Sequence, residues 1–362
     1  MNENRQYNLD LLKALAIICM IFSHPVLVFA LYRNGWDSGF LYILGDIILG
    51  DYIAVAHAFM LAMGVGMVFS RKNDPASLVK RGIKIFLGGY VLNFFRRGMY
   101  LLITDLIRHE TGTEALDAVL APDILQFAGL ALIVTGILFK LKLKEIHILI
   151  IGIALSIIGA LVPAIYTGIY VLDVILGNFI FVSRSCSAFV FCSWYVFVAA
   201  GLFFGSLLRA SADKDRFYGK LLWSGCIAAV YIVATFILGM FYFTPDNDYY
   251  RVGIVDAAGL LSMDLFALSV FYFVLKKTGA EKFSVFIEMS RNITPIYVIH
   301  WCIIGFTDFV LCELLGFVFT YPIMYAYGAV LIIVSFFLAR LYRKERDIWS
   351  FRVQKSENSN KR

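Results

Sequence analysis

A lysine and a histidine lie on nearly the same face of the first apolar segment. Lys13 and His24 are eleven residues apart, which is about 16 Å of rise and close to three turns of an α-helix. An imidazole titrates near neutral pH and accepts protons from hydroxyls or amines, whereas an ammonium group attracts phosphate oxygens. The spacing therefore predicts a general base deep in the helix and a cation at its start. A structural histidine and a lysine that extends to the surface are the alternative interpretation.

Other ionisable side chains also interrupt apolar runs, where an unpaired charge costs several kcal/mol. Asp10 either takes part in the chemistry or stabilises the N-terminus of its helix through the helix dipole. Asp264 is expected to be protonated, or paired with a cation or histidine from another helix. His57 and His300, the latter followed by Trp301, are candidates for substrate binding. A structural hydrogen bond is the alternative role for each of these two histidines.

Basic residues stand at both ends of the third apolar segment. Lys80, Arg81 and Lys84 lie at its start, and Arg81 and Lys84 share a helix face. Such a cluster can hold the phosphate oxygens of an anionic nucleotide, and topological charge at the membrane surface is the alternative. Arg97, at the far end, either extends to the interface or lines a substrate cavity.

The elements that must carry these residues are membrane-spanning helices. The chain has 362 residues, of which 60% are hydrophobic and 16% charged, with a mean hydropathy of +0.79. A soluble domain of this composition would have too few polar residues to cover its surface. The apolar segment 164–189 is predicted to be re-entrant or surface-lying, and an eleventh span is the alternative. About ten other segments are long enough to cross a bilayer: 9–31, 52–70, 82–103, 124–140, 146–163, 190–208, 221–243, 256–275, 293–312 and 321–340.

The distribution of basic residues predicts the orientation of the chain. With a cytoplasmic N-terminus, 26 of the 32 Lys and Arg residues fall in cytoplasmic segments. The sequence therefore predicts an all-α, multi-pass protein of the cell membrane with both termini in the cytoplasm. A single transmembrane domain is predicted over 1–345, followed by a polar cytoplasmic tail over 346–362. Its oligomeric state cannot be read from the sequence.

Several well-known site motifs are absent from the chain. No Walker motif, nucleophile elbow, HExxH or CxxC pattern occurs, so neither a metal nor a nucleic-acid partner is predicted. The lipid bilayer is the partner that the composition indicates.

The N-terminal segment resembles the opening of the acyltransferase family 3 membrane proteins. In RQYNLDLLKALAIICMIFSH, ten residues separate Lys13 from His24, which is the spacing of the Arg/Lys and His in that family. AFMLAMGVGMVFSRK is similar to the second-helix segment, with Met63-Gly64 in place of Ser-Gly. Lys80-Arg81-x-x-Lys84 resembles a basic Arg-x-x-Arg pair but ends in lysine. SRNITPIYVIHWCII is similar to a late helix with a Tyr-x-x-His core, here Tyr297 and His300.

The heparan-glucosaminide N-acetyltransferase-like proteins are a related group with a similar first helix and a helix start like SWYVFVAAGLFFG. Either resemblance implies transfer of an acyl group, commonly acetyl, from coenzyme A to a hydroxyl or amine of a cell-envelope saccharide. His24 would then be the general base, with Lys13 and Asp10 beside it. Lys13, Lys80, Arg81 and Lys84 would engage the coenzyme A phosphates. The saccharide would meet side chains deeper in the bundle: His300, Trp301, Tyr297, Asp264, Arg97 and His57.

Two other classes of function remain open from the sequence. Many helices with buried charges are also typical of a transporter or flippase that moves a carbohydrate-linked or other small substrate without acyl chemistry, although no inverted repeat is present. A sensor or accessory subunit of an envelope pathway is the third class. Loss of thioester from labelled acetyl-CoA would distinguish the enzyme from the transporter.

Overall fold

The computed structural model describes residues 5–29, 55–108, 113–181, 188–240, 242–243 and 249–359. Within these ranges the regular secondary structure is helical, and no strand is formed. The α-helices, numbered along the chain, are α1 Tyr7–Phe29, α2 Ala56–Phe69, α3 Pro75–Asn93, α4 Met99–Arg108, α5 Thr113–Leu120, α6 Ile124–Lys140, α7 Glu145–Leu161, α8 Tyr170–Gly177, α9 Phe191–Ala210, α10 Lys214–Leu221, α11 Ser224–Leu238, α12 Ile254–Thr278, α13 Ser284–Arg291, α14 Ile293–Thr307 and α15 Tyr321–Ser359.

Six helical stretches in the described part of the chain are long and apolar enough to cross a membrane, and the bent pair α5–α6 raises the number to seven if it is one span. The apolar helices α2 and α7 are shorter, with 14 and 17 residues. The protein is therefore a multi-pass membrane protein, while the count of ten spans and the cytoplasmic termini stay predictions. The six are Tyr7–Phe29, Phe191–Ala210, Lys214–Leu238, Ile254–Thr278, Ile293–Leu314 and Tyr321–Arg346.

Among the described residues of the apolar segment 164–189, the short helix α8 is the only helix. Its eight residues rise about 12 Å, less than half of the hydrocarbon thickness of a bilayer. The backbone N–H of Ile165 donates to the carbonyl of Phe181 at 3.0 Å, which brings two distant parts of the segment together. These features fit a folded-back segment better than an additional span. Residues 182–187 lie outside the described residues.

The start of α3 has the local chemistry of a helix N-terminus. The Asp74 carboxylate accepts a hydrogen bond from the Ser77 backbone N–H at 2.9 Å, and Pro75 occupies the first helical position, where no N–H is needed. Hydrogen bonds from the Ser77 hydroxyl and backbone N–H hold the pKa of Asp74 below its usual range. The helix therefore begins within the basic loop that precedes the third apolar segment.

Close helix crossings at glycine bring the elements of the site together. A Cβ added at Gly201 of α9 would lie 2.2 Å from the Leu61 carbonyl oxygen of α2. A Cβ at Gly305 of α14 would lie 1.8 Å from the carbonyl oxygen of Arg96. Small residues allow membrane helices to approach in this way. The second crossing is the reason that α14 can contact the residues that follow α3.

Two π-helical segments border this crossing. One covers Phe94–Gly98, between α3 and α4, and the other covers Asp308–Leu314, directly after α14. A π-helical turn changes the direction of the side chains that follow it, and such turns are frequent at functional sites. Arg96 and Arg97 both lie in the first of them.

Ion pairs and hydrogen bonds connect the helices at two opposite ends of the bundle. One end has the Asp10–Ser290 hydrogen bond and the Arg340–Glu288 and Lys276–Asp215 ion pairs. The other end has the Arg96–Asp123 ion pair and two hydrogen bonds to backbone carbonyls: Trp194 to Tyr250 and Arg251 to Val162. The first end carries the N-terminus of α1 and, by prediction, faces the cytoplasm. At the same end α15 continues as a helix to Ser359, past the predicted domain boundary at residue 345.

Candidate active site

The centre of the site is a pair of histidines from the first and fourteenth helices. His24 Nδ1 lies 2.8 Å from Nε2 of His300. The ring planes differ by 14° and the ring centroids lie 5.1 Å apart, the separation that an in-plane hydrogen bond between the rings gives, so the hydrogen bond lies close to both planes. His24 therefore faces the inside of the bundle. Helix α1 continues beyond Pro25 to Phe29, and this keeps the imidazole on a regular helix rather than on a loop.

The hydrogen bonds assign the protons on both imidazoles. His300 Nδ1 lies 3.0 Å from the carbonyl oxygen of Ile296, which can only accept, so this nitrogen carries a proton. In the neutral ring His300 Nε2 must then accept, and His24 Nδ1 must donate to it. The remaining nitrogen of His24, Nε2, carries the lone pair. The pair therefore presents one imidazole lone pair that could take a proton from a substrate.

Aromatic side chains from α14 surround the histidine pair. The Trp301 ring centroid lies 4.2 Å from that of His24, and the Tyr297 ring meets His300 edge-on at 5.4 Å. Tyr297 and His300 are both buried. Positions 297, 300 and 301 follow the helical repeat, so a single helix supplies the hydrogen-bond partner of His24 and the aromatic surface beside it.

Arg96 is a functional candidate, although of the two adjacent arginines the sequence led us to select Arg97. Its guanidinium carbon lies 4.6 Å from the Trp301 ring centroid, and its Nη1 lies 2.5 Å from a carboxylate oxygen of Asp123. The chain of contacts Asp123–Arg96–Trp301–His24 thus joins α6, the first π-helical segment, α14 and α1. Arg97, the arginine that was predicted, is exposed beside it. The two adjacent arginines point differently, and only the three-dimensional structure shows which of them faces inward.

A cavity lies beside Arg96, at the end of the bundle opposite Asp10. Arg96 and Arg97 line it together with side chains of α4 and of the second π-helical segment. Tyr100 and Phe309 lie in its wall and stack on each other, with ring centroids 5.0 Å apart and planes 20° apart. The cavity and the histidine pair therefore share one side chain, that of Arg96.

Asp10 and Lys13 form a separate ionic cluster at the start of α1. The Asp10 carboxylate accepts from Arg5 Nε at 2.5 Å and from the Ser290 hydroxyl at 2.6 Å, and Lys13 Nζ lies 3.3 Å away. Asp10 and His24 are fourteen residues apart on one helix, about 21 Å of rise. The structure therefore does not bring Asp10 or Lys13 to the histidine pair, and both lie near the N-terminal end of α1.

The basic residues of α3 are exposed. Lys80, Arg81 and Lys84 form no ion pair or hydrogen bond with a described residue, and the opposite face of α3 packs on α6 at Gly82. They lie at the same end of the bundle as Lys13, because α1 and α3 both begin there. No contact in the described part of the chain joins them to Lys13. Their role as a phosphate site stays a prediction.

His57 and Asp264 pair with each other between α2 and α12. His57 Nδ1 lies 2.9 Å from Asp264 Oδ2, and both side chains are buried. The expected partner of the buried carboxylate is thus a histidine. The pair satisfies its own hydrogen bonding, and a role of either residue in substrate binding stays a prediction. Among the residues that the structure describes, no group of three His, Cys, Asp or Glu side chains could hold a metal ion.

Together these features define a class: a helical, multi-pass membrane protein with an inward-facing histidine pair suited to proton transfer. The chain matches the family described as Heparan-alpha-glucosaminide N-acetyltransferase, catalytic, over residues 5–244, about two thirds of its length. The protein belongs to this family, and this supports a membrane acyltransferase. The match is to the second of the two groups that its motifs resemble, rather than to acyltransferase family 3. No curated protein matches the chain.

The matched residues include His24, Arg96 and Asp123, whereas His300 and Trp301 lie beyond residue 244. The C-terminal third of the chain therefore supplies the hydrogen-bond partner of His24 and the aromatic ring against it. In this protein the site is complete only when α14 is packed against α1.

Proposed function

We propose that the protein is an integral-membrane acyltransferase that moves an acyl group, in the first place acetyl, from acyl-CoA to a hydroxyl or amine of a cell-envelope saccharide. The observation that carries this proposal is the His24–His300 pair at 2.8 Å, in which Nε2 of His24 keeps its lone pair. The family match supplies the reaction class. The protein is placed in the cell membrane with both termini in the cytoplasm.

His24 acts as the general base for the acceptor. As the acceptor oxygen or nitrogen attacks the thioester carbonyl carbon, His24 Nε2 takes its proton. The carbon–sulfur bond then breaks, and the thiolate of coenzyme A leaves and takes up the proton that His24 holds. Between these steps the imidazolium donates a charge-assisted hydrogen bond from Nδ1 to His300. The Trp301 ring, 4.2 Å from the imidazole, stabilises the same charge through its π face.

The donor is proposed to approach from the end of the bundle that carries Lys13. The side chains of Lys80, Arg81 and Lys84 are exposed there and could therefore contact the phosphates of coenzyme A. Lysine is a point charge rather than a bidentate fork, so binding that depends strongly on salt concentration is expected. Asp10 is better suited to hold Arg5, Lys13 and Ser290 together than to act on the substrate.

The test is loss of thioester from acetyl-CoA with protein purified in detergent. His24→Ala should lower the rate by about 10²–10⁴-fold, the usual contribution of a general base. His147→Ala is the matched control, because His147 is exposed on the first turn of α7. An unchanged melting curve would show that the His24 variant is folded.

Two results would contradict the proposal. Wild-type turnover in folded His24→Ala protein would remove His24 from the mechanism. If purified protein leaves acetyl-CoA intact with every acceptor but moves a saccharide-linked lipid across a proteoliposome membrane, the transporter hypothesis would replace the enzyme.

A further inference from the structure

A permanent positive charge lies one aromatic ring away from the proposed base. The Arg96 guanidinium carbon is 4.6 Å from the centre of the Trp301 ring, and the centre of the His24 ring is 4.2 Å from the same point. Since these two distances add to 8.8 Å, the guanidinium carbon lies no farther than this from the centre of the imidazole. An arginine stays protonated at every working pH. Without compensation, its charge would oppose the formation of an imidazolium at His24.

The carboxylate of Asp123 makes two different contacts with its two oxygens. Oδ2 pairs with Nη1 of Arg96 at 2.5 Å, and Oδ1 accepts from the backbone N–H of Ile124 at 2.7 Å, at the start of α6. The side chains of the ion pair are only 16% and 15% exposed, so water and salt screen their charges weakly. The negative charge that offsets Arg96 is therefore held in place by the helix it caps.

Other charged groups surround α1 and the ion pair. On helices packed against α1, Asp264 bonds a histidine of α2, and Glu288 pairs with an arginine of α15. The cavity beside the ion pair is also lined by Asp308, Glu313 and Arg97. Glu313 is an exposed carboxylate of this cavity, and it is therefore a suitable control for a change at Asp123.

We propose that Asp123 and Arg96 are positioning residues that set the charge next to the base, with the Asp123 carboxylate offsetting the Arg96 cation so that His24 can take up a proton. Arg96 packs on Trp301 through a cation–π contact and supports the ring against which His24 lies. Asp123 makes this packing compatible with an imidazolium beside the same ring. The inference rests on the proposed role of His24 as general base, but the protonation of His24 requires no turnover.

Asp123→Asn removes the charge and keeps the shape of the side chain. Asparagine is as good an N-cap as aspartate, so the start of α6 is preserved. A unit charge about 12 Å away changes an equilibrium that creates a second charge by about tenfold, at an effective dielectric constant of about 20. The kcat for thioester loss should therefore fall about five- to tenfold, with KM unchanged. The control Glu313→Gln should keep kcat within about twofold of the wild type.

The double variant Arg96→Gln/Asp123→Asn separates charge from packing. Because it removes both charges, its kcat should return to near the wild-type value, and Arg96→Gln alone should not lower kcat. If Arg96 acted only by holding Trp301 in place, both of these variants would lose activity, and that result would overturn the proposal even if Asp123→Asn fails to fold. Wild-type kcat in folded Asp123→Asn protein would overturn it as well.

A second measurement is independent of turnover. In protein labelled with ¹⁵N-histidine, nitrogen NMR reports how much of His24 is imidazolium, and the His24 signal is assigned by its loss in His24→Gln. At a pH where the imidazolium is the minor form, its population should be about tenfold lower in Asp123→Asn than in the wild type. Equal populations would overturn the charge control and leave acyl transfer standing. The expected populations in a protein that never consumes acetyl-CoA would support the charge control and overturn the proposed reaction.

Discussion

His300 is expected to set the proton position on His24, and its replacement provides a sharp test of the histidine pair. In His300→Leu the His24 Nδ1–H loses its acceptor at 2.8 Å. The imidazolium that forms as His24 takes the proton then loses a charge-assisted hydrogen bond, worth about 1.5–3 kcal/mol. Because each 1.36 kcal/mol is a factor of ten in rate, kcat should fall by about 10–150-fold. KM for acetyl-CoA should stay unchanged, since His300 lies beside Trp301 and Arg96, beyond the end of α3 that is opposite to Lys80, Arg81 and Lys84.

A conservative variant distinguishes hydrogen bonding from packing. His300→Gln puts a side-chain amide oxygen near the place of Nε2, where it can accept from His24 Nδ1–H. It should recover part of kcat, whereas His300→Leu should not. The measurement is steady-state thioester loss with purified variants of equal melting temperature. Wild-type kcat in His300→Leu, or equal losses for Gln and Leu, would refute the argument that His300 orients the base.

Two further predictions concern the elements that hold the site. Gly305→Ala should lower the free energy of unfolding by about 1–3 kcal/mol in a thermal unfolding assay, because its Cβ would lie 1.8 Å from the Arg96 carbonyl oxygen. The control is Gly66→Ala, whose Cβ would have no neighbour within 4 Å, and it should be neutral or slightly stabilising in the same assay. Asp74 has a lowered pKa from its Ser77 hydrogen bonds, so its capping contribution is complete above the unfolded pKa and lost as pH falls through the folded pKa. As the pH falls through the folded pKa of Asp74, amide hydrogen exchange in the first turn of α3 should therefore speed up more in the wild-type protein than in Asp74→Asn. The same pH dependence of exchange in both proteins would contradict this prediction.

The membrane class could be predicted from the sequence because hydropathy is a local property. Stretches such as 9–31 and 321–340 are apolar over the length that a bilayer requires, whatever they pack against. The helix α1 forms at Tyr7–Phe29 and α15 begins at Tyr321, close to those predicted starts. His24 could also be selected as a candidate from the sequence, since a histidine within a membrane-spanning stretch is rare and often has a functional role.

The partners in the site could not be predicted, because they are far apart in sequence. His24 and His300 are 276 residues apart, and neither carries a local signal for the other. Arg96 and Arg97 are adjacent and chemically identical, so only the π-helical turn and the packing of Gly305 decide that Arg96 faces Trp301. In the sequence, nothing distinguishes Asp123 from other loop carboxylates, and only the folded structure shows that it pairs with Arg96.

Apolar length and the types of a few polar residues were thus enough to indicate a helical membrane protein and one candidate base. The tertiary structure alone decided which imidazole nitrogen keeps its lone pair, which arginine faces inward and where a cavity opens beside them. The physical reason is that hydrophobic transfer depends on each segment separately, whereas hydrogen bonds and ion pairs depend on distances of about 3 Å between helices that the chain brings together only on folding.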